Sequence, residues 1–213
     1  MNDVLGSAEL EVAGRVLGDV AATSNELNRL DGFAGDGDLG ITVTTATTAL
    51  LALLPDLEGS TAPEALRKAG LVLARAAPST SGTLVARALL AAAVGAGRSE
   101  EDANVVRYLE AGAQEIARRG GASAGQKTML DALLPAIARL NEMASDALSE
   151  RLHRAAEAAE AGAEATREME PRVGRAAWLA DRSRGHIDAG ARLVAIFLRA
   201  WAVRVAEAQA ESA

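Results

Sequence analysis

Residues 30–40 read LDGFAGDGDLG. Three aspartates and four glycines fall inside these eleven residues, while the chain on either side is mostly alanine, leucine and valine with scattered charges. Glycine permits positive φ and close backbone approach, and Asp-Gly runs favour turns, so the stretch reads as a loop between two helices. Asp31, Asp36 and Asp38 are spaced i, i+5 and i+7. That spacing does not stack them on one helical face, so the loop itself must bring them together. Several hard carboxylates in one tight loop repel each other unless a cation joins them. Mg²⁺ fits that role, because it takes oxygen ligands and is usually shared with substrate phosphates. An EF-hand does not fit: counting from Asp36, position five is Gly40 and position twelve is Thr47, where a glutamate is needed. A plain Asp/Gly turn without a ligand has the same composition.

Composition sets the frame around this loop. The 213 residues are enough for one domain, 1–213, with a real core. Nearly half are hydrophobic (49%) but only 2% are aromatic. Alanine supplies much of the apolar content and has the best helix propensity, so the expected class is all-α with closely packed helices. There is no cysteine, hence no disulfide or thiolate metal site, which suits a cytoplasmic protein. Met1-Asn2-Asp3 starts no basic region and no apolar run follows, so no signal peptide is expected. The longest apolar stretch, LVARALLAAAVGAG (84–97), carries Arg87 and is too short to span a bilayer. Net charge is −7 with arginines spread along the chain, and no basic stripe marks a nucleic-acid face. An acidic protein that binds anionic phosphate normally needs a cation between them.

Helical periodicity organises the rest. Val12, Val16, Leu17 and Val20 share one face of a helix over roughly 8–28. A second runs from about 40 to 54 and stops at Pro55; Pro63 sits in the first turn of a third, which ends before Pro78. A fourth covers about 81–95. Ser99 is the expected N-cap of a fifth, about 100–119, with Glu100, Glu101 and Asp102 near its positive end. The glycine-rich RGGASAGQ (119–126) precedes a sixth at about 127–144; a seventh covers about 147–168, and the last 190–209, after a long segment at 170–190. Eight helices and no strand pair are expected. In an up-and-down bundle, alternate connections lie at the same end. The connections near 29–40, 77–81, 119–127 and 169–190 would share one rim, and the unusual residues cluster at 31–42, 79–82, 120–129 and 174–190. This predicts a composite site at that rim.

The other patches are individually weaker. PSTSG (78–82) opens a helix, where free amides and hydroxyls favour an anion, though the same residues make ordinary N-caps. GGASAGQKT (120–128) misses a Walker A loop by one residue, since Gln126 separates Gly125 from Lys127, and no strand precedes it. As a glycine-rich helix start it would let a flat ring approach, with Met129 packing softly against the ring or simply serving the core. The 174–191 segment holds Arg175, Arg182, Arg184, His186 and Asp188. Arginine reads phosphate bidentately and stabilises charge in phosphoryl transfer. Asp188 equally suits the N-cap of the last helix, and His186 a structural hydrogen-bonding role.

Taken in order and with their spacings, LNRLDGFAGDGDLG (27–40), SGTL (81–84), GQKTMLDALLPA (125–136) and GRAAWLADRSRGHIDAGA (174–191) resemble the nucleotide-binding L subunit, or L domain, of dihydroxyacetone kinases, also called the Dak phosphatase domain. The resemblance covers essentially the whole chain. It implies an eight-helix, barrel-like up-and-down bundle with ATP or ADP at one rim. It implies that Asp31, Asp36 and Asp38 hold two Mg²⁺ ions bridging the phosphates, and that Leu39, Gly40, Ile41 and Thr42 line those phosphates. Ser81 and Gly82 match a phosphate-contacting Ser-Gly, Gly120 and Met129 match positions around the adenine, and Arg175 matches the nucleotide-contacting, catalytic arginine. Asp188, Ala189 and Gly190 match an Asp-Pro-Gly loop. The departures are Leu39 where many members carry histidine, Ala189 in place of proline and Trp178 in place of a common tyrosine; none removes a metal ligand.

The family's ketose-binding K domain has no counterpart here, so the resemblance implies a nucleotide-binding subunit of a kinase that acts on a ketose held by a separate K subunit. Dihydroxyacetone is the default substrate and a four-carbon ketose such as erythrulose an alternative. Two modes are open: freely exchanging ATP, or bound ADP recharged by a phosphoryl carrier protein. A non-catalytic nucleotide-sensing module that binds a transcription regulator is the rival class, and the intact aspartate triad argues against it. No nucleic-acid or membrane partner is implied.

Overall fold

A computed structural model describes residues 4–95, 105–142 and 147–211. Long helices dominate: α1 (Ser7–Ala21), α2 (Ser24–Ala34), α3 (Leu39–Leu53), α4 (Ala62–Ala76), α5 (Thr80–Gly95), α6 (Val105–Gly120), α7 (Leu130–Glu142), α8 (Leu148–Ala165), the short α9 (Ala180–Ser183) and α10 (Ala189–Glu211). No strand is present among the described residues; one isolated bridge joins Val4 to Thr61. Each of α3 to α8 packs against the next, α8 packs on α10, α10 on α1 and α1 on α3. The helices thus close a ring. The staves are eight, with α1 and α2 sharing the first, because both lie between α3 and α10.

The expected single helix at 8–28 is therefore two. At the break Thr23 leaves helical geometry (φ −93°, ψ 6°) and its hydroxyl donates to the Val20 carbonyl at 2.8 Å. A threonine side chain that bonds the preceding turn competes with the backbone ladder. The second expected helix does not end cleanly at Pro55 either; a 3₁₀ turn, Leu54–Leu57, takes the proline into its first turn. The start of α4 follows the rule for proline at a helix start, with Thr61 as N-cap: the Glu64 carboxylate accepts from the Thr61 amide at 2.9 Å, a reciprocal capping box. The sixth expected helix starts at Leu130 rather than 127, because Lys127 adopts a positive φ of 59° that no helix accommodates. The seventh ends at Ala165 and continues as a 3₁₀ turn, Thr166–Glu168. Ser99, Glu100, Glu101 and Asp102, the expected start of the fifth helix, lie outside the described residues.

Small residues line the core. Ala132, Ala136, Ala155, Ala159, Ala191 and Ala195 are completely buried where α7, α8 and α10 meet. Their lack of bulk is what lets helix axes approach closely. A second cluster joins Val16, Val20, Leu27, Leu30, Leu39 and Val43 from the first two staves to Ala189 and Ala200 of α10. Ion pairs set the register of the closing helix: Arg204 holds Asp19 of α1 at 2.7 Å, and Arg192 reaches Glu26 of α2 at 2.7 Å and Glu160 of α8. Partly exposed pairs of this kind add little energy but penalise slippage. Glu160 pairs with Arg192 while its side chain stays 42% exposed, so it keeps to the solvated face of α8 with Glu157 and Glu164. The stretch Leu39–Leu57 is long and apolar enough, by length and composition, to cross a membrane, and exceeds the 84–97 run in this respect. In the structure its Leu39, Val43 and Leu57 are buried in the bundle.

Candidate functional site

At one end of the ring the connections form an open cleft of about 250 Å³. Its walls come from all four patches: Asp31, Asp36 and Asp38 from the first; Ser79, Thr80 and Ser81 from the second; Gly120, Lys127 and Met129 from the third; Gly174 and Asp188 to Gly190 from the fourth, with Val173 just before it. Alternate connections of the bundle do share one rim.

The aspartates converge as the loop requires. One carboxylate oxygen from each of Asp31, Asp36 and Asp38 lies within 4.8 Å of the other two. Asp31, at the end of α2, is the anchor: its Oδ2 accepts from the Gly37 amide at 2.9 Å and the Asp38 amide at 3.0 Å. Gly37 makes this turn with φ +75°, a conformation that L side chains rarely adopt. The loop is folded around Asp31, with Asp36 and Asp38 on the exposed side. Three carboxylate oxygens at this separation suit a hard, oxygen-preferring divalent ion such as Mg²⁺.

The neighbouring helix starts are arranged differently from one another. In α5, the Ser79 hydroxyl accepts from the Gly82 amide at 3.0 Å, an ordinary N-cap, which leaves Thr80 and Ser81 facing the cleft. In α3, the amides of Gly40 and Ile41 donate to Asn28 Oδ1 at 2.6 and 3.3 Å. Asn28, a residue of α2 with no loop signal in the sequence, thus satisfies the start of α3 from the neighbouring helix. Leu39, Thr42, Ser81, Gly120, Met129, Asp188, Ala189 and Gly190 all line the cleft; Gly40, Ile41 and Gly82 do not. The reason is packing: a Cβ on Gly40 would overlap the Ser24 carbonyl, one on Gly82 would overlap the Ala77 carbonyl, and the Ile41 side chain points to solvent. The two glycines are contact points between elements. The backbone of Arg175 begins a 3₁₀ turn, Arg175–Leu179, and its side chain lies outside the described residues.

The glycine loop 120–129 is held by a residue that the sequence did not single out. Asp131, 6% exposed, accepts from the Gly125 amide with one oxygen and from the Thr128 amide with the other, the latter at 2.7 Å. Asp188 does cap α10, accepting from the Ala191 amide at 2.7 Å, while its own amide donates to the buried Thr166 hydroxyl at 2.8 Å. His186 departs from the expected hydrogen-bonding role: its ring stacks on Phe33 with centroids 3.5 Å apart, and Arg182 donates to the Gly32 carbonyl at 3.1 Å. Both contacts tie the fourth patch to the first.

Part of Asp188 opens to the cleft, but its carboxyl is enclosed, and its pKa is pushed up from 3.8 to about 6. Burial is the main cause and the charge of Asp131 adds to it; the Ala191 amide and the Lys127 ammonium pull the other way. A folded pKa above the unfolded value means that this group's contribution to stability is complete below pH 3.8 and is lost as the pH rises through about 6. Asp188→Asn keeps the capping oxygen and removes the charge. It is expected to stabilise the protein without nucleotide by up to roughly 3 kcal/mol at pH 8, with the gain shrinking as the pH falls from 6 toward 4. Urea unfolding at a series of pH values measures this; a pH-independent difference would contradict it.

An all-α ring with a carboxylate-rich cleft at one rim is the class of protein that fold and site define. Residues 33–203 match the DAK2 domain, and the chain belongs to that family. It is 30% identical over 195 residues to the PEP-dependent dihydroxyacetone kinase, ADP-binding subunit DhaL, of Escherichia coli, covering 89% of this chain and 93% of that one. It is 36% identical over 186 residues to the D-erythrulose kinase of Mycolicibacterium smegmatis, covering 84% of this chain and 32% of the relative. Among solved structures, the dihydroxyacetone kinase of C. freundii in complex with AMP-PNP and Mg²⁺ superposes with a TM-score of 0.75 at 28% identity, over 91% of this chain and 33% of that one. The chain therefore spans about a third of the length of the larger relatives that it matches, and nearly all of the E. coli subunit.

Proposed function

We propose that the chain, as one L-type domain over 1–213, is the nucleotide-binding subunit of a ketose kinase. It would bind ATP or ADP with Mg²⁺ at the rim cleft and pass the terminal phosphoryl group to a ketose held by a separate K subunit. The observation that carries this reading is the meeting of three carboxylate oxygens within 4.8 Å in a cleft whose other walls are a serine-rich helix start and an apolar surface. A polyphosphate would not enter an acidic cleft without cations, and these residues could hold them. Asp31 is already oriented by two amides, and Asp36 and Asp38 offer accessible oxygens. The bound Mg²⁺, two ions by the family resemblance, would supply charge neutralisation at the phosphate oxygens.

The remaining residues divide by chemistry. Thr42, Thr80 and Ser81 offer hydroxyls toward phosphate, while Ile116, Ala122, Met129 and Val173 form walls that suit the faces of an adenine. Arg175 is assigned to stabilise charge on the transferred group. Among the described residues nothing in the cleft corresponds to a ketose pocket, and in this reading the partner delivers the acceptor hydroxyl and its base. The likeness to a D-erythrulose kinase makes a four-carbon ketose a substrate to assay beside dihydroxyacetone. The likeness to the PEP-dependent dihydroxyacetone kinase, ADP-binding subunit, of E. coli makes recharging of bound ADP by a phosphoryl carrier a mode to test beside free ATP exchange. A cytoplasmic location accords with this role.

The test is a thermal shift. A ligand that binds only the folded state, present at a hundred times its Kd, adds about 2.7 kcal/mol, which for a domain of this size raises Tm by roughly 5–10 °C. Mg-ADP is expected to produce that shift and EDTA to abolish it. An ADP shift that ignores EDTA would place the nucleotide away from the aspartates.

A further inference from the structure

Lys127 is the one described non-glycine residue with a positive φ, 59°, and it is 4% exposed. Lysine is rarely buried, because removing an ammonium from water is expensive unless it is well partnered. Its Nζ donates to the Ser183 carbonyl at 2.9 Å and to the Met169 carbonyl at 3.2 Å. Those two carbonyls are the two ends of one segment. Between them run Val173, Gly174 and Ala176, which form one wall of the cleft, and Trp178, which is 90% exposed. Besides the Lys127 clasp, the segment is fastened by Arg167 with Gly185, at 2.8 and 3.3 Å, the Met169 amide on the Thr166 carbonyl at 3.1 Å, the Arg172 amide on the Gln126 carbonyl at 3.4 Å, the Arg182 guanidinium on the Gly32 carbonyl at 3.1 Å and the exposed Arg184–Glu170 pair at 3.7 Å; of these groups the Lys127 ammonium alone bonds both ends and is buried. A short segment with its ends pinned together, here a loop leading into the 3₁₀ turn and α9, is a compact unit that can open as a whole.

We propose that Lys127 is a positioning residue: its ammonium clasps both ends of the 169–183 segment and so holds that segment as a closed wall over the nucleotide cleft. The strained backbone at Lys127 is what aims the side chain inward from the glycine loop, joining the third patch to the fourth. Burial lowers the pKa of Lys127, while the charges of Asp188 and Glu168 act in the opposite direction. The consequence for nucleotide retention rests on the function proposed above; the clasp itself does not.

The experiment separates the two. Lys127→Met and Lys127→Cys are made in a Trp201→Phe background, so that Trp178 is the single tryptophan and the engineered cysteine the single thiol. Half of the Lys127→Cys protein is alkylated with 2-bromoethylamine while unfolded and then refolded, which restores an ammonium on nearly the native stem. Without nucleotide, both substitutions are expected to keep the helical circular dichroism, to lower the Trp178 anisotropy, and to raise trypsin cleavage at Arg172 and Arg182 at least roughly tenfold, since local opening sets the cleavage rate. Alkylation should reverse the last two changes. With Mg-ADP, dissociation should be several-fold faster in the unalkylated variants. Unchanged anisotropy and cleavage, or no rescue by alkylation, would overturn the clasp, as would a loss of helical signal in Lys127→Met, which would make the lysine a general core group. If the unsubstituted protein binds no Mg-ADP, the nucleotide reading fails while the clasp stands or falls on the first two measurements.

Discussion

Asp36→Ala is expected to abolish Mg²⁺-dependent ADP binding, weakening it by at least roughly 100-fold, on the scale of losing one strong charged contact. Helical content should be unchanged. Asp36 is the right residue for this because it is exposed and brings a carboxylate oxygen to within 4.8 Å of the anchor's. Asp31→Ala would also release the Gly37 and Asp38 amides and collapse the turn, so a loss there mixes metal binding with loop folding. Metal and nucleotide should bind together, because Mg²⁺ sheds its waters reluctantly for carboxylates alone. Calorimetry is the measurement. An unaltered ADP affinity in Asp36→Ala would remove the metal assignment, and tight Mg²⁺ binding without nucleotide would remove its coupling to phosphate.

Alone, the purified chain should hydrolyse ATP slowly at most and should not phosphorylate dihydroxyacetone or erythrulose. A cognate ketose-binding subunit should restore transfer by a factor of roughly 10⁵ or more, the scale on which in-line positioning of donor and acceptor acts. In the proposed reading the docking face is the rim, because the cleft opens there. Arg184 is a suitable probe of it, with its side chain 70% exposed and only distant pairing to Glu170 and Asp181, at 3.7 and 3.8 Å. Arg184→Glu should weaken the partner's rescue more than it weakens ADP binding. An ordinary kinase rate from the isolated chain would show that a ketose site exists in this molecule and that the half-site reading is wrong.

Some of this was legible in residue order alone. Helix periodicity and alanine content specified an all-α chain, and the parity of the connections placed the four unusual patches at one end, because neighbouring staves of an up-and-down bundle must run in opposite directions. The Asp/Gly loop was visible for the same local reason: carboxylates and glycines at that density are unfavourable inside a helix and need a purpose in a turn. The break at Thr23 was not visible, since a threonine after an apolar-periodic run reads as more helix until its hydroxyl is seen on the Val20 carbonyl.

What only the tertiary structure decided is which residues of each patch face inward. Gly40 and Gly82 sit in motif positions beside the loop, but each is pressed against a carbonyl of another segment, so they serve packing while Thr42 and Ser81 reach the cleft. Asn28, Lys127 and Asp131 fall inside quoted motifs, but their roles carried no signal because their partners are backbone groups: the amides of Gly40 and Ile41 for Asn28, the carbonyls of Met169 and Ser183 for Lys127, and the amides of Gly125 and Thr128 for Asp131. Every residue has such groups, so no spacing or residue type reveals the pairing. Local propensity and periodicity determined the helices and the loop that gathers the carboxylates; long-range hydrogen bonding to backbone, legible only once the ring has closed, determined how the walls of the cleft are held around them.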